Sequence, residues 1–300
     1  MIKYFLIAFV VLVPGFLLAQ PGVKSPVELK FKLPEGAKYE YTVTMGMNMN
    51  QSVMGQDIKI KSDNNYTYNF EVLKDSSNWK VVKATITRIK MNMDAMGKTM
   101  NADTDAPNAD SSVSDPEIMK MFNVMKGSSF HFAINSKGDI ENITGFKEMT
   151  DRLNAIKAQG SMQVFDENSF KQSTQQMFGG YPEKPVKIGD TWSKQVKMKN
   201  QGLDIISQNN YTLIAVNGTD ALVKVQSKLS SAGSMPVPDA GVKTEITMTG
   251  NNTGDMHYFM PTGMPVKGTS LMNMDMTVKA NGTDIPVKME MNVGIASRKL

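Results

Sequence analysis

From Tyr39 to Asn50 the chain alternates without a break. Tyr39, Tyr41, Val43, Met45, Met47 and Met49 are apolar, and Glu40, Thr42, Thr44, Gly46, Asn48 and Asn50 between them are not. A helix would scatter those apolar side chains around its circumference, whereas a pleated strand turns every second residue to the same side. This stretch therefore predicts a β-strand with one dry face, and such a face needs partners.

The chain supplies them. Val27, Leu29, Phe31 and Leu33 predict a first short strand, stopped by Pro34-Glu35-Gly36. After a turn near Met54-Gly55, a second long strand places Ile58, Ile60, Tyr66, Tyr68, Phe70 and Val72 on one parity. From Trp79 to Met93 the apolar parity shifts, from Val82, Ala84 and Ile86 to Ile89, Met91 and Met93, and a one-residue bulge near Arg88 would keep both halves facing inward. Phe130 to Ile134 and Ile140 to Ile143 predict a further hairpin around Asn135 to Gly138.

The last hairpin is the most closely specified. Asn281-Gly282 suits a type I′ turn, in which both central residues have positive φ. That turn sets Val278 opposite Ile285, Met276 opposite Val287, Met274 opposite Met289 and Met272 opposite Met291, all on one face.

Helical spacing occurs between the β-rich parts. Ser114-Asp115-Pro116-Glu117 reads as a helix start, followed by Ile118, Met121, Phe122 and Met125 on one face, with Gly127 as the stop. A second helix begins near Thr144, carries Phe146, Met149, Leu153 and Ile156, and ends at Gly160. A third, from about Phe165 to Phe178, is closed by Gly179-Gly180. Asn101 to Ser114 has too little apolar surface to order itself and reads as a mobile loop.

The fold expected is mainly antiparallel β with added helices (α+β): a large curved sheet, or a half-barrel-like pair of meanders, around two or three central helices. Residues 20–300 form a single β-rich domain in this reading. Gly36-Ala37-Lys38-Tyr39 and Gly189-Asp190-Thr191-Trp192 suggest two diverged halves, 26–143 and 184–300, joined by helices at 144–180. Two separate sandwich domains are the alternative.

Residues 1–19 read as a secretory signal peptide: Lys3, an apolar run from Tyr4 to Ala19 broken by Pro14-Gly15, then Gln20-Pro21. We expect cleavage after Ala19, no transmembrane anchor afterwards, and an exported protein in the periplasm or outside the cell. The chain has no cysteine, so no disulfide framework holds it and no thiol is present to carry a lipid. A net charge of +4 from 33 basic and 29 acidic residues is spread along the strands, which disfavours nucleic acid as a partner.

Gly36 to Tyr39, the segment from Gly127 to Gly145 with Phe130, Gly138 and Ile143, and above all Lys184-Pro185-Val186-Lys187-Ile188-Gly189-Asp190-Thr191-Trp192 carry a resemblance. In these residues the chain is similar to a family of exported bacterial proteins classed only as a domain of unknown function, family 6263. The resemblance implies export and a β-rich fold. It offers no catalytic residue to transfer.

Candidate chemistry is sparse. His131 and His257 lie on the parity opposite their apolar neighbours and point to solvent in this reading, and the missing thiols remove cysteine nucleophiles and thiolate ligands. We expect no enzyme, metal or cofactor. Asp103, Asp105, Asp110 and Asp115 lack the glycine and terminal glutamate of an EF-hand and read as solvated loop carboxylates.

The 26 methionines are the anomaly. Met45, Met47, Met49, Met272, Met274, Met276, Met289 and Met291 continue the parity of Tyr, Val and Ile, so they form an inner face. A curved sheet lined by such adaptable side chains suits a lipid or other apolar small molecule of no fixed shape. The alternatives are a structural or protein-interaction module with a fully packed core, and Cu(I) binding through the Met-x-Met strands.

Overall fold

Strand pairing carries almost the whole molecule. The computed structural model describes residues 25–53, 56–76, 78–106, 116–156, 167–200, 203–236, 243–280 and 282–300. The segments read above as a signal peptide (residues 1–19), as a turn at Met54-Gly55 and as a helix cap at Ser114-Asp115, with Asp110, Gly160 and Asn281, lie outside the described residues.

In chain order the strands are β1 (Lys38–Val53), β2 (Gln56–Asp75), β3 (Trp79–Ala95), β4 (Lys98–Asp103), β5 (Ser129–Asn135), β6 (Ile140–Thr144), β7 (Thr191–Asn200), β8 (Leu203–Asn217), β9 (Asp220–Pro236), β10 (Lys243–Phe259), β11 (Met264–Ala280) and β12 (Thr283–Lys299). The helices are α1 (Pro116–Met125), α2 (Phe146–Ala155) and α3 (Glu167–Phe178).

The twelve strands make one open antiparallel sheet in the order β6-β5-β3-β2-β1-β12-β11-β10-β9-β8-β7, with β4 paired to β3 beyond β5. The early and late β-rich parts share this sheet, because β1 pairs with β12 from Tyr39 opposite Lys299 to Gln51 opposite Val287. Two independent sandwiches do not form.

Local expectations are met where sequence fixes the geometry. The final hairpin pairs Val278 with Ile285, Met276 with Val287, Met274 with Met289 and Met272 with Met291, and Gly282 has φ 78°. The parity shift in β3 is a bulge: Thr67 faces Arg88 while Tyr68 faces Ile86, leaving Thr87 as the extra residue. Ile86 and Ile89 are both buried as a result.

Two expectations need correction. Val27 to Leu33 is not a sheet strand, since its one ladder contact is a bridge between Val27 and Val186. Its alternation is real all the same, with Leu29, Phe31 and Leu33 buried and Glu28, Lys30 and Lys32 paired on the outside. Asn101 to Asp103 is not loop but the end of β4, with Ala102 buried opposite Met91. The Met96-Gly97 turn, with φ of 54° and 76°, folds β4 back on β3, and Arg88 anchors it by a forked pair to Asp103 at 3.0 and 2.6 Å.

The core occupies one end of the strands. Tyr39 and Tyr41 on β1, Phe70 on β2, Leu213 on β8, Val223 on β9 and Tyr258 on β10 share it with residues 29–33, α1, α2 and the end of α3. Phe178 is central, its ring 5.6 Å from Phe31, 6.0 Å from Tyr41 and 5.8 Å from Phe70. Tyr181 follows, donating a 2.6 Å hydrogen bond to the carbonyl of Gly263 and meeting Tyr258 edge-on. These side chains form a plug across one end of the sheet.

The plug also draws the two sheet edges together. α3 lies against both edge strands, β6 and β7. On the β6 side, Gln175 accepts from the Ile140 amide and donates to the carbonyl of Gly138. On the β7 side, Trp192 donates to the carbonyl of Gly180 at 3.0 Å. Lys194 on β7 reaches across and donates to the carbonyl of Lys137, in the turn before β6, at 3.1 Å. The sheet thus curls around its core-facing side, and the opposite parity, with Lys59, Lys61, Asp63, Asp275, Lys279, Lys288 and Glu290, faces water.

Candidate functional site

Beyond the plug the same face of the sheet continues towards the far ends of the strands. Alternation fixes which side chains occupy it, and register fixes how they line up. Met47, Met291 and Met272 stand side by side on β1, β12 and β11, and Met49, Met289 and Met274 form the next row. Met276 and Val287 continue towards the open end, and Met45 lies beside Val293 towards the plug. All eight methionines expected on the inner face are therefore brought together on three neighbouring strands.

Their burial is uneven. Met274 is buried, whereas Met45, Met47, Met49, Met272, Met276, Met289 and Met291 are half-buried. Gly250 on β10 makes room for Met274, since a Cβ at that glycine would fall 2.8 Å from the Met274 Cγ. The helices and residues 29–33 pack over the plug end, and beyond it seven of these thioether side chains stay partly open to solvent.

Across the sheet the face changes character. The row of Met47, Met291 and Met272 continues into Asn252 on β10, Ser227 on β9, Asn209 on β8 and Lys194 on β7. The adjoining row runs from Met274 through Gly250 and Leu229 to Ser207 and Val196. Ser207, Asn209, Ser227 and Ser231 are buried, and the Ser207 hydroxyl donates to the Asn209 side-chain oxygen Oδ1 at 2.8 Å. The side-chain oxygens of Asn64, Asn252 and Ser231 are shielded from water and accept or donate no hydrogen bond. A neutral polar strip thus flanks the methionine band, a feature that the apolar alternation alone did not disclose.

Other candidates resolve into structural roles. His257 pairs through Nδ1 with Asp220 at 2.9 Å on the outward side, and His131 is half-buried on β5. Asp103 and Asp105 are not free loop carboxylates: Asp103 binds Arg88, and Asp105 pairs with Lys126 at 2.6 Å. Arg88 holds the Asp103 carboxyl below the usual aspartate range, chiefly through the forked hydrogen bond. Among the described residues no group of three or more His, Asp or Glu is placed to hold a metal ion. None of the described helices is long and apolar enough to cross a membrane.

Residues 77–265 match the model of a family described as "Family of unknown function (DUF6263)". The chain belongs to that family. The matched DUF6263 region runs from the start of β3 to the start of β11, so β1, β2, β12 and most of β11 lie outside it. Of the methionine band, none of the eight falls within the DUF6263 match, whereas Asn252, Ser227, Asn209 and Lys194 do. No curated protein matches this DUF6263 chain by sequence.

Among solved structures, one determined for lipid-protein interactions in lipovitellin is similar over 89% of this chain and 25% of its own, with TM-score 0.50 and 12% identity. The DUF6263 chain thus spans about a quarter of that chain. OpdQ of Pseudomonas aeruginosa matches over 88% of this chain and 99% of its own, at TM-score 0.22 and 6% identity. The β-domain of the Bordetella autotransporter BrkA matches over 86% and 98%, at TM-score 0.24 and 8% identity. Of these, the lipovitellin match bears on the fold.

Proposed function

We propose that this DUF6263 protein is a non-enzymatic binding protein that holds an apolar, lipid-like ligand against the methionine face. The observation that carries the reading is the half-exposure of seven thioether side chains on the core-facing parity of a curled sheet. A contiguous apolar surface left open to water is costly unless something covers it. Methionine suits that cover, because its unbranched side chain adapts to ligands of variable shape.

The outward residues support a protein surrounded by water. A membrane-spanning barrel turns its apolar band outward and its polar side inward. Here Lys61, Asp63, Lys288 and Glu290 are outward and methionine is inward. The likeness to lipovitellin concerns the fold at 12% identity, and that structure was determined for lipid-protein interactions, which accords with the reading. Export to the periplasm or beyond is part of the same proposal, resting on the sequence of residues 1–19.

Native mass spectrometry of protein purified from its own cell envelope tests the proposal. A bound species of lipid mass, or uptake of fatty-acid or phospholipid probes, is the expected result. A clean apo mass with no uptake of either probe would remove it.

A further inference from the structure

The curled face has one end that is chemically unlike the rest. On the core-facing parity of β1, β2 and β8 to β11, the described residues beyond the plug are apolar, Gly, Ser, Thr, Asn or Gln. On β7 the same parity presents Lys194, between Trp192 and Val196 and opposite Asn209. Its side chain is half-buried, and its ammonium group donates to the carbonyl of Lys137. Among the described residues no carboxylate lies within ion-pair distance of it: Glu183 pairs with Lys137 at 3.9 Å, and Asp139 accepts from Asn135.

An ammonium has three donors, and a half-buried one lacking an anionic partner is under-satisfied. Burial pulls the Lys194 pKa down, against the upward pull of Asp139 and Glu183, while Lys137 adds repulsion. Four strand-to-strand steps separate Lys194 from Met272, about 19 Å along the sheet at the ordinary strand spacing. Between them lie Asn209, Ser227 and Asn252, the last with an unpartnered side-chain oxygen. One row across the sheet therefore grades from thioether through neutral polar groups to a single cation.

We infer that the ligand is an anionic amphiphile lying across the strands, its head at Lys194 and Asn209 and its aliphatic tail over Met272, Met291 and Met47. This inference rests on the proposed lipid-binding reading and narrows its ligand class. The row matches such a molecule in order: charge, then hydrogen-bonding groups, then an apolar band of adaptable side chains. The carboxylate of a fatty acid and the phosphate of a lysophospholipid share the chemistry that Lys194 would read.

Binding of oleate, oleyl alcohol and dodecyltrimethylammonium to the mature full-length chain tests it. The wild type should prefer oleate to oleyl alcohol by about tenfold, the worth of one charge-assisted hydrogen bond. Lys194→Met should abolish that preference, and Lys194→Arg should keep it. Equal preference in the wild type and Lys194→Met, or tighter binding of the cationic amphiphile than of oleate, would overturn the inference while leaving lipid binding intact. If the wild type takes up none of the three, the broader reading falls with it. Circular dichroism of each variant separates a lost preference from a lost fold.

Discussion

The ring of Phe178, at the end of α3, lies 6.0 Å from the ring of Tyr41 on β1. Helix and central strand are thereby joined at the point where residues 29–33 and β2 also converge, through Phe31 and Phe70. The same helix lies against both sheet edges, so this contact ties the middle of the sheet to β6 and β7. Phe178→Ala should cost about 3–5 kcal/mol of stability, the range for deleting a buried phenylalanine. Urea unfolding monitored by tryptophan fluorescence would measure it, and a loss under 1 kcal/mol would show that the plug is not built around this ring.

Acid should loosen the bulged part of β3. Asp103 and Glu40 have carboxyls held below their ordinary range, by the hydrogen bonds of Arg88 and Arg298 respectively. A depressed folded-state pKa means stability that is complete above the unfolded value, near 4, and is lost as pH falls through the lower folded value. Glu28, lowered to about 2 by Lys30 and then Lys32, adds little because that cluster is well exposed. Stability should therefore fall below about pH 4, and Asp103→Asn should flatten part of that decline. Denaturation midpoints measured from pH 6 to pH 2.5 would decide; identical profiles would assign the acid response elsewhere.

The methionine band distinguishes two chemistries by one set of substitutions. Leucine keeps the apolar surface and removes the thioether sulfur, so a lipid site should survive the change and a Cu(I) site should not. The triple variant Met272→Leu, Met274→Leu and Met276→Leu should bind fatty-acid probes within about threefold of the wild type, as volume-conserving swaps are well tolerated. Competition with a Cu(I) chelator, run in parallel, should show no difference between the two proteins. A large loss of copper affinity in the variant would favour the metal reading.

Much of the sheet was legible because two independent signals agreed at particular residues. Gly282 fixed the turn, and the apolar sets of β11 and β12 then fell opposite each other without adjustment. The shift from Ile86 to Ile89 required an extra residue near Arg88, and the structure supplies Thr87. β4 is short and carries few apolar residues, and just past its end the chain is held by polar groups. Thr104 accepts from the Ile89 amide through its hydroxyl and donates its own amide to the Ile89 carbonyl, so a stretch poor in apolar residues is ordered by hydrogen bonds.

Residues 27–33 show the converse. Alternation correctly sorted Leu29, Phe31 and Leu33 from their charged neighbours, but it cannot say whether an extended segment joins a sheet or lies across one. Lys194 was hidden among Lys197 and Lys199, since three lysines on one strand read as solvated charge. Parity carried from Trp192 separates it from them: Trp192, Lys194 and Val196 share a side, and Lys197 faces the other way. The turns at Gly36 and Gly189 are built alike. Each glycine amide donates to the facing strand, at Val72 and Leu213, and the next residue's carbonyl accepts in return. That correspondence is local to the two turns.

The proposed amphiphile would cover the methionine face of the curled sheet, and methyl NMR of protein labelled with 13C-methyl methionine reads that cover residue by residue. Adding stearate spin-labelled near its methyl end should broaden the signals of Met47, Met272, Met289 and Met291. Met96, exposed at the outer β3–β4 turn, should stay sharp. Unchanged signals throughout the band, or broadening at Met96 equal to that at Met272, would contradict the account.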